Sequence, residues 1–143
     1  MKDITRVFQD FCLMNNINYQ YGQRHCLNLL NELKCNQVYF LHDRNVRNKA
    51  NTQDGTSERI TFTGSVFLVV KSDCDKPFFK EKMQQDKKNK YESNIEPLLE
   101  LVGKFEKSFN CSDYTLSNIQ ITDVVDLLDF NADGLFIEYT INV

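Results

Sequence analysis

A few stretches of this chain carry residue types that could do chemistry. Asp129-x-Asn131-x-Asp133-Gly134 sets oxygen ligands on alternate residues and adds a glycine for a sharp turn, as the first half of a calcium loop does. The position where such a loop needs a bidentate glutamate is Thr140, and a strand-like alternation follows instead of an exiting helix. The stretch therefore reads as a turn, and no metal is expected. Only His25 and His42 could act as imidazole bases. His25 adjoins Cys26 on a predicted helix, where neighbouring side chains diverge by about 100°, so the two do not form a nucleophile pair. His42 adjoins Asp43 at a predicted strand end. That pair could exchange a proton, but the surface-histidine reading is preferred. No Gly-x-Ser-x-Gly elbow or His-Glu-x-x-His is present, and the five glycines are scattered singly, with none grouped to cradle a phosphate. The expectation is a chain with no catalytic residues and no cofactor.

Cysteines stand at 12, 26, 35, 74 and 111, an odd number without close pairs. Zinc would want paired ligands on short turns, and a disulfide framework would want an even count. Reduced thiols packed as small apolar groups are expected.

Charge is distributed unevenly. The net charge is −3, so no global attraction to nucleic acid or to an anionic membrane is indicated. Segment 76–90 carries six lysines against Glu81 and Asp86. Beyond Lys107 there is no Lys or Arg, only the acids Asp113, Asp123, Asp126, Asp129, Asp133 and Glu138. Two solvated surfaces of opposite sign would explain this. So would a basic face on one copy meeting an acidic face on the next, head to tail. The candidate subunit contacts on that second reading are Arg44, Arg47, Lys49, Lys80, Lys82, Lys87 and Lys88, facing Asp123, Asp126, Asp129 and Asp133. Nucleic acid on the lysine segment ranks lower, since only Phe78, Phe79 and Tyr91 could offer stacking nearby.

The elements that must position these residues follow from periodicity. The 143 residues suit one domain, with a helical part over 1–34 and an α+β core over 35–143. Ile4, Val7, Phe8, Phe11 and Met14 make one helical stripe, ended by Asn15-Asn16. A second helix is expected over about 20–34, with Cys26, Leu27, Leu30 and Leu33 inward. A strand covers 37–41, and 43–58 reads as a long polar loop. Residues 59–71 give the clearest strand. Ile60, Phe62, Val66, Leu68 and Val70 lie on one face and Thr61, Thr63, Ser65, Phe67 and Val69 on the other, so it should lie mid-sheet, and Gly64 marks a bulge. Pro77 opens a polar segment to residue 90. A helix capped by Ser93 or Asn94, with Pro97 in its first turn, carries Ile95, Leu98, Leu99, Val102, Phe105 and Phe109. Strands at 113–121 and 135–143 flank a short apolar stretch at 124–128 and the turn at 129–134. No apolar run approaches the ~20 residues that span a bilayer, and the residues from Met1 to Arg6 lack the apolar core of a secretory signal.

Two passages carry a resemblance. Residues 58–70, Glu58-Arg59-Ile60-Thr61-Phe62-Thr63-Gly64-Ser65-Val66-Phe67-Leu68-Val69-Val70, and residues 129–141, in which Phe130-Asn131-Ala132-Asp133-Gly134 leads into an alternating strand, resemble the tail terminator group of tailed-bacteriophage tail-completion and neck proteins. The resemblance implies an α+β fold with a mixed or antiparallel sheet of about four strands flanked by helices. It also implies a non-enzymatic virion protein that forms a ring, commonly hexameric, at the head–tail junction. Such a ring terminates the tail or joins it to the connector. Its partners would be copies of itself and tail-tube or connector and portal proteins, with DNA only passing through the channel and no membrane involved. Assembly would take place in the host bacterial cytoplasm. The alternative expectation is a small adaptor or immunity-type protein of a mobile element, with an acidic surface that covers a basic partner.

Overall fold

The computed structural model describes residues 3–22, 34, 36–51, 58–71, 91–109, 112–127 and 132–143. The expected second helix over 23–33, the lysine segment 77–90 and residues 128–131 of the expected turn lie outside the described residues.

Helix α1 (Ile4–Met14) begins where Asp3 accepts hydrogen bonds from the Thr5 backbone N–H at 3.0 Å and the Thr5 hydroxyl at 2.6 Å. These satisfy donors that the first helical turn leaves open. Its apolar stripe buries Ile4, Phe8, Phe11 and Cys12. Met14, expected in that stripe, is instead exposed together with Leu13 at the helix end. Strand β1 (Asn18–Tyr21) follows, where the first residues of the expected second helix should be. Strands β2 (Val38–Asn51) and β3 (Glu58–Lys71) pair as one long antiparallel ladder. The expected loop 43–58 is therefore corrected, because residues 43–51 continue β2. Their side chains are polar because the sheet end is wet, and pairing with β3 overrides their weak strand propensity.

A π-turn (Tyr91–Ile95) leads into helix α2 (Glu96–Lys107), with Pro97 in the first turn as expected. The expected Asn94 cap is absent. The Asn94 amide is buried and donates to Asp133 at 3.3 Å instead. Strand β4 (Thr115–Leu127) joins the two expected pieces 113–121 and 124–128 into one. Strand β5 (Ala132–Asn142) completes a five-stranded sheet of order β1-β2-β3-β5-β4. β1 is parallel to β2, and every other pair is antiparallel. The fold is α+β with a mixed sheet, one strand larger than expected, the addition being β1.

Both described helices lie on one face. Phe8, Phe11, Leu98, Val102 and Phe105 pack there against Phe40, Phe62, Val66, Leu68 and Leu135. The opposite face of β3 buries Phe67 and Val69 with Leu41 and Ala132, and the Phe67 and Phe136 rings lie 4.8 Å apart. The strand read as central is central, and its two faces are the two predicted ones. The Cys12 thiol is buried, and that burial pushes its pKa up to about 12, so it packs as a small apolar group. Among the described residues no helix is long and apolar enough to cross a membrane.

Candidate functional site

A buried polar knot sets the geometry of the sheet's polar end. His42 lies mid-strand in β2 with no exposed surface, Phe8 lies on it at 4.9 Å between centroids, and the Tyr21 ring adds an edge contact at 4.9 Å. Its Nε2 lies 2.8 Å from the Tyr139 hydroxyl and its Nδ1 3.1 Å from the Tyr19 hydroxyl. The Tyr139 hydroxyl reaches the Arg44 carbonyl at 3.3 Å and the Asn45 side-chain carbonyl at 3.1 Å. Each hydroxyl has one proton. A neutral imidazole donates through one nitrogen and accepts through the other, so one tyrosine hydroxyl donates to the ring and the other accepts from it. The expected surface position of His42 is corrected: two tyrosines hold the ring in the core.

Burial depresses the His42 pKa from 6.5 to about 4, and the Arg47 charge adds to this, while a backbone hydrogen bond to Arg44 and the Asp3 charge oppose it. Burial raises the pKa of both tyrosine hydroxyls, so they stay protonated. The folded state thus prefers neutral imidazole. Its contribution to stability is complete above pH 6.5 and is lost as pH falls towards 4, amounting to roughly 3 kcal/mol. Urea unfolding at steps from pH 7 to pH 4 should show the midpoint falling across that window. A midpoint that holds level would mean the ring is not kept neutral by burial.

The knot shapes β2. The register slips between His42 and Arg44, so Asp43 is an extra residue and the strand is bulged there. Gly64 sits across the slip on β3. A side chain at that position would collide with the Arg44 carbonyl and come within 2.6 Å of the Tyr139 hydroxyl. The bulge inferred from Gly64 exists, but on the partner strand.

Beyond the bulge the second sheet face turns polar. Arg44, Ser65, Glu138 and Gln120 lie side by side across four strands. Arg44 and Glu138 are two strands apart, about 10 Å between backbones. No ion pair within 4.0 Å joins them. Between them Thr63, Thr140, Asn118 and Gln120 line a recess of about 270 Å³. It offers hydroxyls, amides and one charge of each sign, which suit hydrogen bonding to a polar protein surface. Among the described residues no group of three or more His, Cys, Asp and Glu is placed to hold a metal.

Two strand edges flank this face. Among the described residues β4 pairs only with β5, and no described strand pairs with its outer side. From Asn118 to Val124 it keeps regular register with β5, and Asn118, Gln120, Ile121, Thr122 and Asp123 are exposed. β1 covers β2 only from Tyr39 to His42. Among the described residues no strand pairs with the rest of β2 on that side, a second edge on which Arg44, Arg47, Asn48 and Lys49 are exposed.

The sequence-derived contact residues fare unevenly. Arg44, Lys49 and Asp123 are exposed on these edges. Arg47 turns to its own chain and pairs with Asp3 at 3.3 Å. Asp133 is corrected: it is fully buried, bonded to Asn94, and cannot meet a partner. Asp126 lies on β4, with its side chain outside the described residues. Lys80, Lys82, Lys87, Lys88 and Asp129 lie outside them altogether. Tyr19, Tyr139 and the open edges went unread; the only sequence sign was a tyrosine on the inward side of each alternation.

Compared with known protein families, curated proteins and solved structures, the chain finds no match.

Proposed function

We propose that this chain is a non-catalytic assembly subunit that joins other protein subunits through the edges of its sheet. The setting is the one the resemblance implies: a ring at the head–tail junction of a tailed phage, ending the tail or joining it to the connector. The observation that carries this reading is the outer edge of β4, 13 residues long, free of lysine, arginine and proline, and paired with no strand among the described residues. An open edge presents a row of N–H and C=O groups that another strand can satisfy. Chains that remain single usually block such an edge with lysine, proline or a covering element. The run Asn118-Ile119-Gln120-Ile121-Thr122 is uncharged and regular. The polar face beside it supplies the hydrogen-bonding rim that interfaces carry around their centres.

Adjacent prolines test the edge. Along an edge strand successive N–H groups point alternately inward and outward, and proline is tolerated only where the N–H points out. One of Gln120→Pro and Ile121→Pro should therefore keep the native circular dichroism and lose assembly, while the other loses stability. Light scattering and electron microscopy of the native protein should show rings or larger species. A single-chain mass in both low and high salt, at high protein concentration, would defeat the proposal.

A further inference from the structure

The partner of the β4 edge is the β2 edge of a second copy. We infer that residues 115–124 of one chain pair antiparallel with residues 44–51 of the next, continuing the sheet head to tail. This rests on the assembly reading above and adds the partner surface to it.

Strand direction permits the pairing. From β2 through β3 and β5 to β4 each step is antiparallel, so β2 and β4 run in opposite directions within one chain. A second sheet laid alongside in the same orientation presents its β2 antiparallel to the first chain's β4. The open lengths also match in height: Asn118 stands level with Val46, and Gln120 level with Arg44. A shift by an even number of residues keeps every side chain on its face, with Arg44 on the face of Gln120 and Thr122, and Arg47 and Lys49 on the face of Asp123.

Charge favours this pairing over its rivals. From 44 to 51 the β2 edge carries Arg44, Arg47 and Lys49 and no acid, although Arg47 also meets Asp3 of its own chain. β4 carries Asp123 and Asp126 and no base. Joining β2 to β2 would set cations beside cations, and joining β4 to β4 would gather aspartates. Joining β4 to β2 puts opposite signs together. The contact uses different surfaces on its two sides, so it propagates and closes into a ring when the rotation per subunit allows.

Complementation tests the inference. One variant carries the assembly-blocking proline on β4. A second carries proline at whichever of Asn48 and Lys49 directs its N–H outward. Each alone should have the mass of one chain, and an equal mixture should form a species of twice that mass and no larger one. If the β2 variant assembles like the native protein while the β4 variant does not, β4 has another partner; the inference falls and the assembly reading stands. If neither variant changes the native assembly, both fall. Hydrogen exchange on the unmodified protein gives an independent reading. On going from dilute to concentrated solution, amides in both 44–51 and 115–124 should gain protection, and protection of one stretch alone overturns the pairing.

Discussion

Replacing Gly64 by valine should cost the fold at least about 3 kcal/mol. At most strand positions the same change stabilises, because valine favours extended backbone and glycine does not. Here the sign reverses. The new side chain collides with a backbone carbonyl, that of Arg44, which no rotamer change can move. The relief open to the fold is to push β2 away from β3. That breaks the Tyr139 hydrogen bonds to Arg44 and Asn45 and leaves His42 without its closer partner. Overpacking of a filled site costs about 1–3 kcal/mol, and each buried group left unsatisfied adds about 1–3 more. A domain with about 5–15 kcal/mol in hand then sits near its unfolding threshold. Urea denaturation followed by circular dichroism reads this directly. A valine variant as stable as the native chain would show that the strands at the bulge can part freely.

Phe8→Ala is expected to cost about 3–5 kcal/mol. The side chain is fully buried, with ring centroids 5.4 Å from Phe40, 5.3 Å from Phe105 and 5.2 Å from Tyr139. It is the residue through which α1 meets both the sheet and α2, so the cavity left behind cannot close by a small local shift. Leu13→Ala is the control: it lies on the same helix but is 80% exposed, and should change stability by less than about 0.5 kcal/mol. The Phe8 cavity also opens beside His42. Water admitted there lowers the penalty on imidazolium and brings the folded pKa back towards 6.5, so the loss of stability on acidification should be smaller and end at a higher pH. Equal stability of the Phe8 and Leu13 variants would contradict this account of the core.

The parts of the fold that were legible in the sequence are those whose side chains record their own burial. α1 showed itself through Ile4, Phe8 and Phe11, and β3 through two alternating sets that became the two packed faces. The second half of β2 kept no such record. Its residues stand at the wet end of the sheet, so Arg44 to Asn51 look like a loop, and only pairing with β3 makes them a strand. Asn94 is a good capping residue by type, and nothing local reveals that Asp133, 39 positions on, takes its amide. In the sequence His42 stands beside Asp43, and adjacency is what a sequence displays. Its closer partner, Tyr139, is 97 residues away. Charge alone marks the candidate contact residues, and charge does not say which strand is an edge. Arg44 and Asp123 fell on edges, while Asp133 fell in the core.

β5 follows the other four strands along the chain, yet it lies between β3 and β4. While the ribosome is still making it, the hairpin of β2 and β3 has no neighbour on its inner side, and β4 has nothing to pair with. The sheet closes only after β5 has left the exit tunnel, which makes maturation depend on contacts between distant parts of the chain. The paired inner side of β4 is therefore the last part of the sheet to form.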